Sequence, residues 1–267
     1  MSFASVEGLS DQIDDGALLA LPPDYSLVAM EVVRALIRRK VRGLRLLGVP
    51  ILGMSADLLI GAGCVAEVET SAVSLGEAGL APRFTEAVEK NLVKVKDATC
   101  PAIHAALQAS EKGVSYMPVP GIGSSDLVKE RKEWIRQGEV VLVPAIKPDV
   151  ALFHARWADE AGNVWVGRRR ELATVAHASK VSLVSFEDKR EGDMLDDELL
   201  APGVISSIYV TAAAHAPRGA WPLGVAGVYG ADDTHLSQYA KAAKTREGFQ
   251  RYLDEWVLTP RKSTSPA

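Results

Sequence analysis

Cysteine, paired histidines and long apolar runs are scarce in this sequence, and each scarcity removes a class of function. Two cysteines, Cys64 and Cys100, among 267 residues are too few for a disulfide framework or a cysteine-rich metal site, and they fit a reducing compartment. Five histidines are scattered without HxxxH or HExxH spacing, so no metal centre is implied. No apolar run reaches the roughly eighteen residues of a membrane span. The first residues, MSFASVEGLSDQIDDG, carry neither a basic stretch nor an apolar core, so a secretory leader is not expected and a cytoplasmic location is. Thirty basic against 34 acidic residues leave no basic footprint for nucleic acid.

What remains is an ordinary globular composition, 48% hydrophobic and 24% charged, long enough for one large α/β domain. The organising stretch is Val143–Asp188. Two short apolar runs, Val150–His154 and Val181–Phe186, are bounded by turn residues and read as buried strands. Glu171–Ser179 between them is Ala-rich with helical spacing, which completes an α/β pattern.

The same alternation runs through the rest of the chain. Strands are expected at Ala17–Pro22, Leu44–Val49, Thr70–Leu75, Leu92–Lys96, Gly113–Val119 and Val204–Val210. Helices are expected at Ser26–Arg39, with Ser26 or Asp24 as cap, and at Ser55–Ile60, Phe84–Lys90, Ala102–Ser110 and Asp233–Trp256. Lys129–Glu139, with Trp134, reads as a charged mobile stretch, and Ala216–Gly230 as loop. The expectation is an α/β fold with an open, mostly parallel sheet, helices on both faces and a single domain. Its organisation is a lead at 1–14, the domain at 15–258 and a disordered tail at 259–267.

In such sheets ligands bind beyond the carboxyl ends of the strands. That rule selects Pro23–Tyr25, Gly53 and Met54, Gly76 and Glu77, Thr99 and Cys100, and Gly121–Ser125. Gly121, Gly123, Ser124 and Ser125 rank highest, because glycine backbone N–H groups and hydroxyls suit an acyl oxygen or a phosphate. The plainer reading is a turn capped by Ser125 or Asp126. Glu77 is a candidate base or nucleophile, against a solvated loop carboxylate. Cys100 is a candidate thiol nucleophile, against plain packing. His154 reads as a donor to a ligand or, more simply, as a satisfied histidine fixing the turn at Asp159–Asn163. Arg168, Arg169 and Arg170 could meet phosphates, or form a solvated face or subunit contact. Gly61-Ala62-Gly63 follows a helix and so reads as a helix stop, not a phosphate loop.

Pro148-Asp149-x-Ala151-x-x-His154-Ala155-x-x-Ala158-Asp159-x-x-Gly162-Asn163 resembles the α (A) subunit of class I coenzyme A-transferases, glutaconate CoA-transferase type. The resemblance continues through Ala56-Asp57-x-Leu59-Ile60-Gly61-Ala62-Gly63, Gly121-x-Gly123-Ser124-Ser125-Asp126-Leu127 and Tyr229-Gly230-x-Asp232-Asp233, and spans about Asp15 to Trp256. It implies a ping-pong reaction in which a glutamate attacks the acyl-CoA thioester and an acceptor carboxylic acid finally takes the CoA. The family carries that glutamate in a β subunit, and no Ser-Glu-Asn-Gly motif occurs here. The resemblance therefore implies coenzyme A as substrate, no permanently bound cofactor, a β-subunit partner and no catalytic nucleophile in this chain. The aromatic-bearing C-terminal helix and the loop around Trp221 are the expected partner contact. Two departures stand out. Leu21-Pro22-Pro23-Asp24-Tyr25 replaces a Gly-Gly-Phe loop of many relatives, and Cys100 stands near the point where the resemblance places a glutamate implicated in steroid-ring-cleaving hydrolases, so the missing glutamate argues against that variant. The alternatives are a heteromeric CoA-thioester hydrolase or carbon–carbon lyase, and a non-catalytic acyl-CoA-binding subunit.

Overall fold

A computed structural model describes residues 3–259; the expected tail lies outside the described residues except for Thr259. In chain order the elements are α1 (Val6–Ser10), β1 (Leu18–Leu21), α2 (Met30–Arg38), β2 (Leu44–Gly48), α3 (Met54–Gly61), β3 (Val65–Thr70), α4 (Pro82–Glu89), β4 (Lys94–Asp97) and α5 (Cys100–Glu111). There follow β5 (Tyr116–Pro120), α6 (Leu127–Glu130), β6 (Ile135–Gln137), β7 (Val140–Pro144), β8 (Val150–Asp159), β9 (Val164–Trp165), α7 (Arg170–Ala178) and β10 (Val181–Arg190). The chain closes with β11 (Val204–Ile205), β12 (Ala212–His215), α8 (Asp233–Ala242) and α9 (Arg246–Leu253).

The main sheet runs β12-β10-β8-β1-β2-β3-β4, every neighbouring pair parallel. The antiparallel β9 and β11 extend it along the far half of β8. Alternating side chains of each strand face opposite layers. Leu19, Leu21, Leu46, Leu152 and Leu183 pack with α1–α4, α8 and α9. Ala20, Leu47, Phe153, Val184 and Phe186 pack with α5 and α7. This is the open, mostly parallel α/β sheet with helices on both faces that the sequence pattern implies. The chain order reverses between β1 and β8, which makes their carboxyl ends the switch point of the sheet.

Several elements differ from expectation, each for a local reason. The third strand lies at Val65–Thr70, not Thr70–Leu75. Its carboxylates Glu67 and Glu69 disguise it, because they pair across the edge with Lys94 and Lys96. The expected Gly113–Val119 strand is β5, and it leaves the main sheet to form a separate antiparallel sheet with β7 and β6. The stretch around Trp134 is anchored: Trp134 is 7% exposed, and the Arg131 guanidinium lies 4.7 Å over its ring while bonding Glu69 at 2.5 Å. The N-terminal lead, read as loose or as a short helix, carries the short helix α1 and buries Leu9 and Ile13 in the main core. Val204–Val210 supplies a two-residue strand followed by a single turn, Ser207–Tyr209. The C-terminal segment is two helices, since Thr245 accepts the Gly248 N–H and starts α9 afresh.

Candidate functional site

β1 delivers Pro22 and Pro23 onto the switch point, and the two prolines hold the next residues out over the carboxyl edge of the sheet. Asp24 there does not cap its own helix. Its carboxylate accepts the Met54 N–H at 2.9 and 3.1 Å, through one oxygen and the other, at the start of α3. Gly53 is what makes this possible, because a Cβ on it would collide with the Asp24 carboxylate. Burial pushes the Asp24 carboxyl up to about 6, against the lowering effect of the Met54 bond. Ser26, the expected cap, instead donates its hydroxyl to Glu171 at 2.6 Å, and α2 begins later, at Met30. The intervening Leu27 takes a left-handed φ of 62°, and its carbonyl accepts the His154 N–H at 2.7 Å.

Two cavities of about 490 Å³ each adjoin at this edge and share Tyr25, Gly224 and Ala226. One is bordered by Arg156, Arg168, Arg169 and Arg170 beside Trp165 and Val166, at the N-terminus of α7. Arg169 lies over the Tyr25 ring at 5.5 Å, and Arg156 over Trp157 at 4.2 Å. The buried Arg156 Nε has no hydrogen-bond partner. The other cavity is apolar, lined by Ile51, Leu52, Leu75, Leu223 and Leu236, with Asp24 as its one charged group. A cation-lined pocket fused to an apolar one is complementary to a ligand with phosphates at one end and a hydrocarbon at the other.

The loop that walls both cavities is held from beneath by a buried network. His154 on β8 and Glu187 on β10 meet at 2.9 Å, and the other ring nitrogen of His154 meets Ser185 Oγ at 2.7 Å. Glu187 also accepts the Tyr229 hydroxyl at 2.5 Å and the Arg218 N–H at 2.6 Å. Burial alone would raise the Glu187 pKa. Its bonds to His154, Tyr229 and the Arg218 N–H outweigh that and hold it below the usual carboxylate range. Ser185, His154 and Glu187 have the composition of a hydrolytic triad, but Ser185 and His154 are 0% exposed. The geometry therefore positions the 216–230 loop instead of meeting a ligand.

The sequence candidates separate in space. Gly76 lines the apolar cavity, and Gly53 lies under the Asp24 carboxylate. Gly121, Gly123, Ser124 and Ser125 follow β5, away from the main sheet, and line neither cavity. There Gly123 is demanded by packing, since a Cβ would collide with the Gly138 carbonyl oxygen. Glu77 is exposed in a short turn well beyond the end of β3. Cys100 opens α5, exposed, with its sulfur 3.2 Å from Ser71 Oγ. Asp24 carries a signal in the sequence, a carboxylate directly after a strand, and the strand-end rule includes it within Pro23–Tyr25, but its only individual role there is as a helix cap.

The motif residues turn out to be framework. Asp57 is buried and bonds the Phe84 N–H at 2.8 Å and the Tyr239 hydroxyl at 2.6 Å. Asp149 ties Leu18 N–H to Lys180. Asp159 and Asn163 bond each other and the 193–207 segment. The aromatics of the segments expected to meet a partner pack inward: Trp221, Tyr239, Phe249 and Tyr252 are buried and Trp256 is half-buried.

A family model described as Coenzyme A transferase matches residues 5–209. The chain is 29% identical to an uncharacterized protein of Archaeoglobus fulgidus, over 96% of this chain but 59% of the relative's length. It is 28% identical to the A-type subunit of the 3-oxoadipate CoA-transferase of Pseudomonas knackmussii, over 94% of this chain and 91% of that one. It is 29% identical to the A-type subunit of the glutaconate CoA-transferase of Acidaminococcus fermentans, over 76% and 70%. Among solved structures, the Acidaminococcus glutaconate CoA-transferase superposes with a TM-score of 0.87 at 24% identity, over 97% of this chain and 89% of that chain, and so shares the fold. A cysteine-to-serine variant of the decarboxylase AibA/AibB superposes with a TM-score of 0.80 at 26% identity, over 95% and 98%. On the extent of the family match, this chain belongs to the Coenzyme A transferase family.

Proposed function

We propose that the chain is the A-type subunit of a heteromeric CoA-transferase that moves CoA from an acyl-CoA to an acceptor carboxylic acid. The observation that carries this reading is the pair of adjoining cavities at the switch point, one arginine-lined and one apolar. CoA phosphates would lie against Arg156 and Arg168–Arg170, and the acyl group would enter the apolar cavity past Tyr25. The buried His154–Glu187–Tyr229 network would hold the loop that covers the thioester. Asp24 is committed to the Met54 N–H, and Glu77 lies outside both cavities. The attacking carboxylate is accordingly assigned to a partner β subunit. Two of the relatives are named as A-type subunits of such enzymes. Leu199, 91% exposed on the rim of the arginine-lined cavity, is a surface such a partner would cover.

The test incubates acyl-CoAs with the chain alone and with its partner, with and without acceptor acids. Exchange only in the complex and only with an acceptor supports the reading; release of free CoA without an acceptor contradicts it. A second reading, a carbon–carbon lyase acting on a CoA ester, is favoured by one observation. Asp24, raised to about 6, is a carboxyl able to give and take a proton inside the acyl cavity. Loss of carbon dioxide from a carboxylated acyl-CoA, without CoA transfer, would select it.

A further inference from the structure

The apolar cavity excludes charge by its lining. Among the residues lining it there is no lysine, arginine or histidine, and Ile51, Leu52, Leu75, Leu223 and Leu236 give it an aliphatic wall. Its one charged group is negative. Asp24 is held in place from below by the Met54 N–H and cannot withdraw across Gly53, where it already occupies the space of a Cβ. The hydroxyl of Tyr229, which lines the cavity, is turned to Glu187 at 2.5 Å. Ser74 Oγ accepts the Gly76 N–H at 3.1 Å.

We infer that the acyl group this chain admits is uncharged, so that its substrate is the CoA thioester of a hydrocarbon monocarboxylic acid and not of a dicarboxylic acid. The inference rests on the reading of the two cavities as an acyl-CoA site and adds the substrate class to it. A terminal carboxylate on the acyl chain would leave water for an apolar wall with no cation to meet it. It would also approach the Asp24 carboxylate, and like charges in one pocket repel strongly. The upward shift of Asp24 has the same origin, a site that burial makes hostile to negative charge. A hydrocarbon chain meets no such penalty and gains from removing its surface from water.

The experiment compares CoA esters matched in length, butyryl-CoA against succinyl-CoA and hexanoyl-CoA against adipyl-CoA. It uses the full chain assembled with its partner subunit. Both kcat/KM for CoA exchange and equilibrium affinity by calorimetry are measured. The uncharged ester of each pair should be favoured by at least ~100-fold. Asp24→Asn keeps an acceptor for the Met54 N–H and should narrow that gap at least ~5-fold by removing the repulsion. Succinyl-CoA or adipyl-CoA bound or used as well as its uncharged counterpart overturns the inference, as does an unchanged gap in the folded Asp24→Asn protein. Preferential affinity for the uncharged esters without any exchange would sustain this inference while removing the transferase reading. Exchange that prefers the carboxylated esters would do the reverse.

Discussion

Replacing Asp24 by asparagine should make the protein more stable at neutral pH, although Asp24 begins a helix. An aspartate at a helix start normally stabilises in its ionised form. Here burial raises the carboxyl from 3.8 to about 6 despite the Met54 bond. Between those values the native state binds more protons than the unfolded chain, so stability falls as pH rises through the window. A shift of this size corresponds to about 3 kcal/mol in all, most of it lost between pH 4 and pH 7. Asparagine is neutral throughout and retains a carbonyl oxygen for the Met54 N–H. Native and Asp24→Asn proteins should therefore match near pH 4, with the variant ahead by about 3 kcal/mol above pH 7. Urea denaturation of both from pH 4 to 8 measures the difference directly. A variant less stable than the native chain at pH 7.5, or a difference independent of pH, would refute the reasoning and make Asp24 an ordinary cap.

Three further outcomes follow from the site. Glu187→Gln breaks a carboxylate that bonds His154, Tyr229 and Arg218 at once, and should cost about 2–4 kcal/mol in denaturant unfolding. Arg169→Ala and Arg170→Ala should each weaken CoA affinity about tenfold or more at low salt, an effect that fades as salt is added and leaves the apparent turnover of saturated enzyme little changed. Maleimide should label Cys100 in the native chain and spare Cys64, which is 2% exposed and whose thiol burial pushes up to about 11, as mass spectrometry of the adducts would show.

The α/β layering is legible because β1, β2, β8 and β10 are short apolar runs flanked by turns, and a parallel sheet buried on both faces demands just such runs. β3 escapes this pattern because cross-strand Glu–Lys pairs with the edge strand β4 let a charged segment lie one strand in from the sheet edge. β5 looks like its neighbours, and only long-range pairing with β7 removes it from the main sheet. The strand-end rule selects Gly53, Gly76 and the Pro23–Tyr25 corner, which line or adjoin the two cavities. It also ranks Gly121–Ser125 first, because local sequence cannot say which sheet a strand joins. The role of Asp24 is hidden for a related reason: its partner, Met54, lies on another helix, and Gly53 matters through what it lets approach. The buried contact of His154 with Glu187 spans 33 positions and has no local signature.

The most direct test of the account is the crystal structure of the chain with its partner subunit and a bound acyl-CoA. The account predicts phosphates against Arg168–Arg170, the acyl chain between Asp24 and Leu223, and the attacking carboxylate contributed by the partner. CoA lodged instead at the Gly121–Ser125 turn, with the switch-point cavities filled by partner side chains, would contradict it.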